Sequence, residues 1–173
     1  MANAVQTASL GVRKPYVMLL ALVTIPIVLL DQLTKFLVRT RMELSESVPI
    51  IPNFLDLTYT QNPGAAFSMF ANLSPEFRVG FLLTLSAAAM VVLLILMIQS
   101  ERISLTSFAL ALVLAGAAGN FIDRVRFGRV VDFVRVHYHD VWSYPIFNVA
   151  DAAISVGVTL IILATLLQRA DRS

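Results

Sequence analysis

Four apolar slabs divide the chain. The first runs from Tyr16 to about Val38, interrupted only by Thr24, Asp31, Gln32, Thr34 and Lys35. The second, Phe81 to Ile98, carries no charge, and the third, about Leu105 to Ile122, is rich in Ala and Leu and closes on Gly116, Gly119 and Asn120. The fourth runs from Phe147 to Leu167 with one acid, Asp151, near its start. At about 1.5 Å of rise per residue each slab can cross roughly 30 Å of hydrocarbon. Water cannot satisfy backbone groups there, so helices are the physical solution. The pattern predicts transmembrane helices over about 16–38, 78–98, 104–122 and 147–168 of one membrane-embedded domain, 1–173. Arg13 and Lys14 precede the first slab as they would in a signal peptide, but Asp31, Gln32, Thr34 and Lys35 stand where a small-residue cleavage site belongs. The first helix is therefore expected to be retained.

Four spans put both ends of the chain on one side. Gln99 to Ser104 is a tight polar turn, whereas the long segments, about 39–77 and 123–146, lie together on the other side. A site is to be sought there. Phe54–Thr60 reads as a short strand, with Pro49 and Pro52 before it and an Asn62-Pro63-Gly64 turn after it. Val130–Tyr138, rich in β-branched and aromatic residues, either pairs with that strand or lies along the membrane surface as an amphipathic helix. Tyr138, Trp142 and Tyr144 suit a chain at headgroup depth. The expected class is an all-α polytopic membrane protein with a small β-rich platform.

Composition agrees: 58% of residues are hydrophobic and 14% charged, and the mean hydropathy is +0.80. A soluble domain would carry about 25% charged residues. With no cysteine, disulfides, thiolate metal sites, a cysteine nucleophile and anchoring through a lipid-modified cysteine of this chain are excluded. The 13 basic residues against 11 acidic ones sit singly between apolar slabs, which argues against nucleic acid as a partner. Charge also bears on orientation. The terminal side carries Arg13, Lys14, Arg102, Arg169 and Arg172. The long-segment side carries Lys35, Arg39, Arg41, Arg78, Arg124, Arg126, Arg129 and Arg135. Raw counting would place the long segments in the cytoplasm, but Asp31 beside Lys35 and Asp123 beside Arg124 weaken that count, and the rule leaves orientation open.

An acid at hydrocarbon depth is costly and needs a reason. Asp31 and Lys35, four apart, can meet on one helix face as a structural pair. Asn120, Asp123 and Arg124 share a face if the third helix persists, with Asp123 ionised beside Arg124 and organising the loop. Asp132, flanked by Val131 and Phe133, is expected to be half-buried, which raises its pKa. Asp151 has Asn148 three positions before it as a hydrogen-bond partner. Two carboxylates facing one water can share a proton and hydrolyse an amide, though a spacing of nineteen residues only permits Asp132 and Asp151 to meet. Rival chemistries are weaker. His137, His139 and Asp140 suggest a metal protease only faintly. No G-x-S-x-G elbow occurs, and Asn62–Phe67 lacks the Gly-Lys-Ser/Thr of a phosphate loop. A non-enzymatic transporter, with Asp31 and Asp151 as proton-relay groups, remains an alternative.

Four blocks, taken in order, resemble the bacterial lipoprotein signal peptidase (signal peptidase II) family. They are Asp31-Gln32-Leu33-Thr34-Lys35; Asn62-Pro63-Gly64-Ala65-Ala66-Phe67; Gly119-Asn120-Phe121-Ile122-Asp123-Arg124 with Val130-Val131-Asp132-Phe133; and Phe147-Asn148-Val149-Ala150-Asp151. The likeness covers roughly Val17 to Leu167. It implies an inner-membrane aspartic endopeptidase that needs no cofactor, with both termini cytoplasmic and the active site facing the periplasm. Its substrates would be diacylglyceryl prolipoproteins, cut on the amino side of the lipid-bearing cysteine. Partners implied are those substrates, membrane lipids and globomycin-like inhibitors. The catalytic pair of the family falls on Asp132 and Asp151. Asn62, Gly64, Asn120, Arg124 and Asn148 match supporting positions, Asp123 an acid the family needs, and Asp31 with Lys35 a structural pair. Pro63 departs from the threonine common after Asn62. The 39–80 segment is expected to form a platform and lid, closed in part by Phe67 and Phe70.

Overall fold

The computed structural model describes residues 15–64, 74–139 and 141–170; Phe67, Phe70 and Asp140 lie outside the described residues, and with them the expected closure of the lid. Four long helices alternate with a small sheet. Helix α1 (Pro15–Arg41) is followed by strands β1 (Ser47–Ile51) and β2 (Leu55–Asn62), then by α2 (Pro75–Ile98) and α3 (Leu105–Phe127). Strands β3 (Val130–Tyr138) and β4 (Trp142–Ser143) lead into α4 (Val149–Ala170). All four helices are long and apolar enough to cross a membrane, and the protein is a multi-pass membrane protein.

α1 is not uniform. A single π-helical turn occupies Leu20–Thr24, where the Ile25 N–H reaches back to the Leu20 carbonyl. Pro26 follows at once; its ring clashes with the carbonyl four residues earlier, and a π turn relieves that clash. α3 is the central helix: 56% of its span is buried inside the protein, against 6% for α2. The other helices present Leu22, Leu29, Phe36, Leu85, Val91, Ile162 and Leu166 outward, as a lipid face requires. Lipid is as apolar as leucine, so close approach and buried polar contacts must hold such helices together. Gly116 and Gly119 of α3 provide the approach. A Cβ at Gly116 would run into the Ala150 carbonyl, and one at Gly119 would lie 2.6 Å from an Asp31 carboxylate oxygen. Thr24 Oγ1 donates to the Ala111 carbonyl at 3.1 Å, which ties the π turn of α1 to α3.

The sheet is antiparallel, in the order β1-β2-β3-β4, so Val130–Tyr138 forms a strand and not an interfacial helix. Thr60 pairs with Asp132 beyond a bulge in β2. Tyr59, Val131 and Phe133 pack with Val38 of α1, which seats the sheet on the helix end. Two boundaries differ from the sequence reading. Pro49 lies inside β1, an exposed edge strand that tolerates proline because it pairs on one side only. α3 runs on to Phe127 instead of stopping near Ile122, and ends at Gly128 in the left-handed region (φ 66°). Asp123 and Arg124 are therefore helical residues and not part of the following segment. Their charges look like a helix stop in sequence, but the fold gives them partners inside the protein.

Candidate active site

Where α1, α3 and the start of α4 meet, an ion cluster is sealed from solvent. Lys35 Nζ lies 2.9 Å from Asp31 Oδ2 and 3.1 Å from Asp123 Oδ2, and donates to Asn120 Oδ1 at 3.1 Å. Asp31, Lys35 and Asp123 are all at most 2% exposed. Every remaining oxygen is used. Asp31 Oδ1 accepts the Ala150 N–H at 2.9 Å, satisfying one of the donors left free at the start of α4. Asp123 Oδ2 accepts the Val131 N–H at 3.0 Å, and its Oδ1 accepts Gln32 Nε2 at 3.0 Å. One buried cation with two buried anions is tolerable only when hydrogen bonds complete it. Here those bonds also fix the two backbone points nearest the other acids, Val131 beside Asp132 and Ala150 beside Asp151.

The second cluster is built on the first. Lys35 takes the carbonyl oxygen of the Asn120 amide, so the Nδ2 group of that amide must face away, and it donates to Asp151 Oδ1 at 2.8 Å. Asn148 and Asp151 form a reciprocal cap at the start of α4. The Asp151 N–H donates to Asn148 Oδ1 at 2.9 Å, and the Asn148 N–H to Asp151 Oδ2 at 3.3 Å, the arrangement of a capping box. The Nδ2 of Asn148 donates to Asp132 Oδ1 at 2.7 Å. Asn148 therefore holds both acids, one by side chain and one by backbone. Asn62 Nδ2 donates to Asp132 Oδ2 at 3.1 Å, while its Oδ1 accepts the Gly64 N–H at 2.9 Å.

Asp132 and Asp151 open onto one cavity of about 470 Å³, lined also by Asn62, Gly64, Leu82, Arg124 and Tyr144 to Phe147. A smaller cavity of about 260 Å³ meets it at Asp151 and runs along α4 past Ala152, Ser155 and Val156. Asp132 is only 2% exposed. Burial pushes its carboxyl up to about 6 and the charge of Asp151 adds to this, against the hydrogen bonds of Asn62 and Asn148 and the charge of Lys35. Such a pair, at the mouth of a cavity, is suited to sharing a proton and transferring it.

The residues matched to the family's catalytic, supporting and structural positions all lie in one of the two clusters. Asp31, Lys35 and Asp123 lie in the sealed one. Asp132, Asp151, Asn62, Gly64, Arg124 and Asn148 lie around the cavity, and Asn120 joins the two. One expected pairing does not form. Asp123 binds Lys35 and not Arg124, because adjacent helical residues do not face each other; Arg124 lines the cavity and interacts electrostatically with Asp151, Asp132 and Asp123. His137 and His139 do not form a shared site. Nε2 of His137 faces Asp56 at 3.1 Å, and its Nδ1 contacts the His139 carbonyl oxygen. Among the described residues no group of three metal-ligating side chains is gathered. Sequence reasoning gave Gln32 no role, although its side chain bonds Asp31, Asp123 and the Gly119 carbonyl; its polarity inside an apolar slab was the signal. Leu82 had no signal, being one apolar residue in an apolar helix.

Known proteins resemble this chain in sequence and in fold. The family model for signal peptidase (SPase) II matches residues 23–167. The chain is 46% identical to the lipoprotein signal peptidase of Syntrophotalea carbinolica over 84% of this chain and 89% of that one. It is 43% identical to that of Anoxybacillus flavithermus, over 90% of each. A solved bacterial membrane enzyme, determined by the in meso method at 2.3 Å resolution, superposes with a TM-score of 0.81 at 34% identity, covering 92% of this chain and 94% of that one.

Proposed function

The chain belongs to the signal peptidase II family, the lipoprotein signal peptidases, and from that premise we propose that it cuts diacylglyceryl prolipoproteins on the amino side of the lipid-bearing cysteine, with Asp132 and Asp151 as a dyad that activates water. A non-enzymatic transporter does not fit membership of a protease family. The observation that carries the reading is the single cavity onto which both acids open, with Asn148 bonded to each.

Asp132, raised to about 6, holds the proton the pair shares, and Asp151 is the charged partner. Asp151 takes a proton from water as the water oxygen attacks the scissile carbonyl carbon, and Asp132 gives its proton to the carbonyl oxygen. In the second half, Asp151 protonates the amide nitrogen, Asp132 recovers a proton from a hydroxyl of the tetrahedral intermediate, and the C–N bond breaks. Both acids return to their starting states. Arg124 on the cavity wall offsets negative charge on the dyad throughout. Asp123, Asn120, Asn62 and Gly64 position the pair, and Asp31 with Lys35 anchors that framework.

The cavity past Ala152, Ser155 and Val156 gives acyl chains a route from hydrocarbon to Asp151. Each methylene left in lipid spares about 0.8 kcal/mol of exposure to water. A membrane-embedded site therefore suits this substrate better than a soluble one would. The reading places both termini in the cytoplasm, turns the sheet toward the periplasm and makes the dyad cavity the target of globomycin-like inhibitors. It is tested with purified protein in detergent and a diacylglyceryl prolipoprotein, following release of the signal peptide. Asp132→Asn and Asp151→Asn each lose about 10³-fold or more in rate while remaining folded. Asp123→Asn loses activity together with thermal stability. A chelator leaves the wild-type rate unchanged. Turnover retained in Asp132→Asn removes the dyad.

A further inference from the structure

A third cluster lies on the sheet side of the helices and is used by none of this chemistry. Phe127, the last residue of α3, has the Arg39 guanidinium stacked 3.8 Å from its ring centroid and that of Arg126 at 5.3 Å. The same ring lines a cavity of about 550 Å³ together with Arg78, Arg129, Pro75, Glu76, Gln61 and Pro63. Two arginines, from the ends of α1 and α3, thus stack on the ring, and two more, from the start of α2 and the turn after α3, line the cavity that the ring borders. Glu76 is the one acid lining the cavity among the described residues. Among the described residues none of the four arginines forms an ion pair, because the ion pairs found there involve Lys35, Arg135 and His137. Arg129 donates to the Gln61 side-chain carbonyl at 3.2 Å. Nε of Arg78 is buried and finds no hydrogen-bond partner among the described residues.

Four like charges gathered beside a single acid, Glu76, repel one another and call for an anion. Planar guanidinium groups favour a phosphate, which they can bind through two parallel hydrogen bonds. The position selects the source. All four arginines lie where the spanning helices end on the sheet side, the level at which a bilayer's headgroups would meet them, and a wall of Phe127, Val79 and Pro75 suits the glycerol end of a lipid. We propose that Arg39, Arg78, Arg126 and Arg129, around Phe127, form a binding site for the phosphate of an anionic phospholipid in the leaflet on the sheet side. The site is separate from the dyad. The Asn62-Pro63-Gly64 turn divides the two cavities, with Pro63 lining one and Asn62 and Gly64 the other.

The test is native mass spectrometry of the full chain in detergent, titrated with phosphatidylglycerol, with phosphatidylcholine and with inorganic phosphate. Wild type retains one phosphatidylglycerol about tenfold or more tighter than phosphatidylcholine. Inorganic phosphate at millimolar concentration does not displace it. Arg78→Gln/Arg129→Gln loses that preference, while Arg102→Gln, at the opposite ends of the helices, keeps it. Should the double variant fail to fold, Arg78→Lys/Arg129→Lys keeps the charge and retains at least part of the preference. Equal affinity for the two lipids, an undiminished preference in the folded glutamine variant, or no preference in the folded lysine variant overturns the site. Displacement by inorganic phosphate overturns the assignment to lipid.

Discussion

Asn148→Ala separates the roles that one side chain combines. The change removes the Oδ1 that accepts the Asp151 N–H and the Nδ2 that donates to Asp132 Oδ1 at 2.7 Å. Loss of the cap costs about 1 kcal/mol, and the buried Asp132 oxygen loses a donor at about 1–3 kcal/mol. A destabilisation of about 2–4 kcal/mol is therefore expected from these two terms. The more specific effect is on titration. The Asn148 bond favours the ionised form of Asp132 and opposes the rise caused by burial, so its loss moves that pKa further upward. At about 1.4 kcal/mol per tenfold change, a charge-assisted bond corresponds to roughly one pH unit. Since the dyad requires the Asp132 proton, kcat/KM of the wild type falls as pH rises through about 6. In Asn148→Ala that limb moves to about 7 or above, while the rate at its optimum drops as the geometry loosens. The assay is the pH dependence of kcat/KM for signal-peptide release in detergent, with circular dichroism at each pH. A limb that stays in place, or moves to lower pH, refutes the argument that Asn148 sets the proton affinity of Asp132.

Two further outcomes follow from the same contacts. Asp132 is held in a site that raises its pKa from 3.8 to about 6, so the folded state binds its proton more tightly than the unfolded chain does. The resulting penalty is absent below pH 3.8, grows as pH rises through that window, and is complete above about 6, where it amounts to at most about 3 kcal/mol. Asp132→Asn therefore raises the thermal midpoint at pH 8 and leaves it nearly unchanged at pH 3.5; an equal rise at both, measured by scanning fluorimetry, contradicts the assignment. Lys35→Met leaves Asp31 and Asp123 buried without their cation, a loss of about 3–5 kcal/mol. It also frees the Asn120 amide to turn over, so the rate falls even where the protein stays folded; full activity of the folded variant would show that Asn120 needs no such orientation.

Much of this arrangement is legible in the chain because the environment makes polarity expensive. Asp31, Gln32 and Lys35 interrupt an apolar slab, and in hydrocarbon such an interruption must be answered by partners. The i,i+4 spacing names one of them, and the fold supplies the rest from Asn120 and Asp123. Asn148 and Asp151, three apart at the start of an apolar run, already carry the pattern of a helix cap. What stays illegible is contact between distant segments. Nothing local shows that Val131 N–H seeks Asp123, that Ala150 N–H seeks Asp31, or that Asn148 reaches across to Asp132. The bond between Ala150 and Asp31 depends on Gly119, whose missing side chain admits the Asp31 carboxylate. The end of α3 is misread for a related reason: charge implies water in a sequence, and here Asp123 is satisfied by Lys35, Gln32 and a backbone N–H.

The same distinction bears on the basic residues that made orientation ambiguous. The positive-inside rule weighs charges as though each were free to stay in the cytoplasm. On the sheet side, Lys35 is paired with two buried carboxylates, Arg124 lines the dyad cavity, and Arg135 lies 3.7 Å from Asp56. Four more surround Phe127 and, on the present proposal, meet lipid phosphate. Of the eight only Arg41 is left without such a place. Charges with these duties are retained whatever side they occupy, so their number is weak evidence about topology. Arg102, by contrast, stands in the short turn between α2 and α3 and forms no ion pair among the described residues. Weighted in this way, the basic residues no longer oppose a sheet that faces the periplasm. A cysteine placed at Ser100 should then react with membrane-impermeant thiol reagents only after the cells are opened, and one at Ser143 in spheroplasts with the membrane intact; the reverse pattern would invert the proposed orientation.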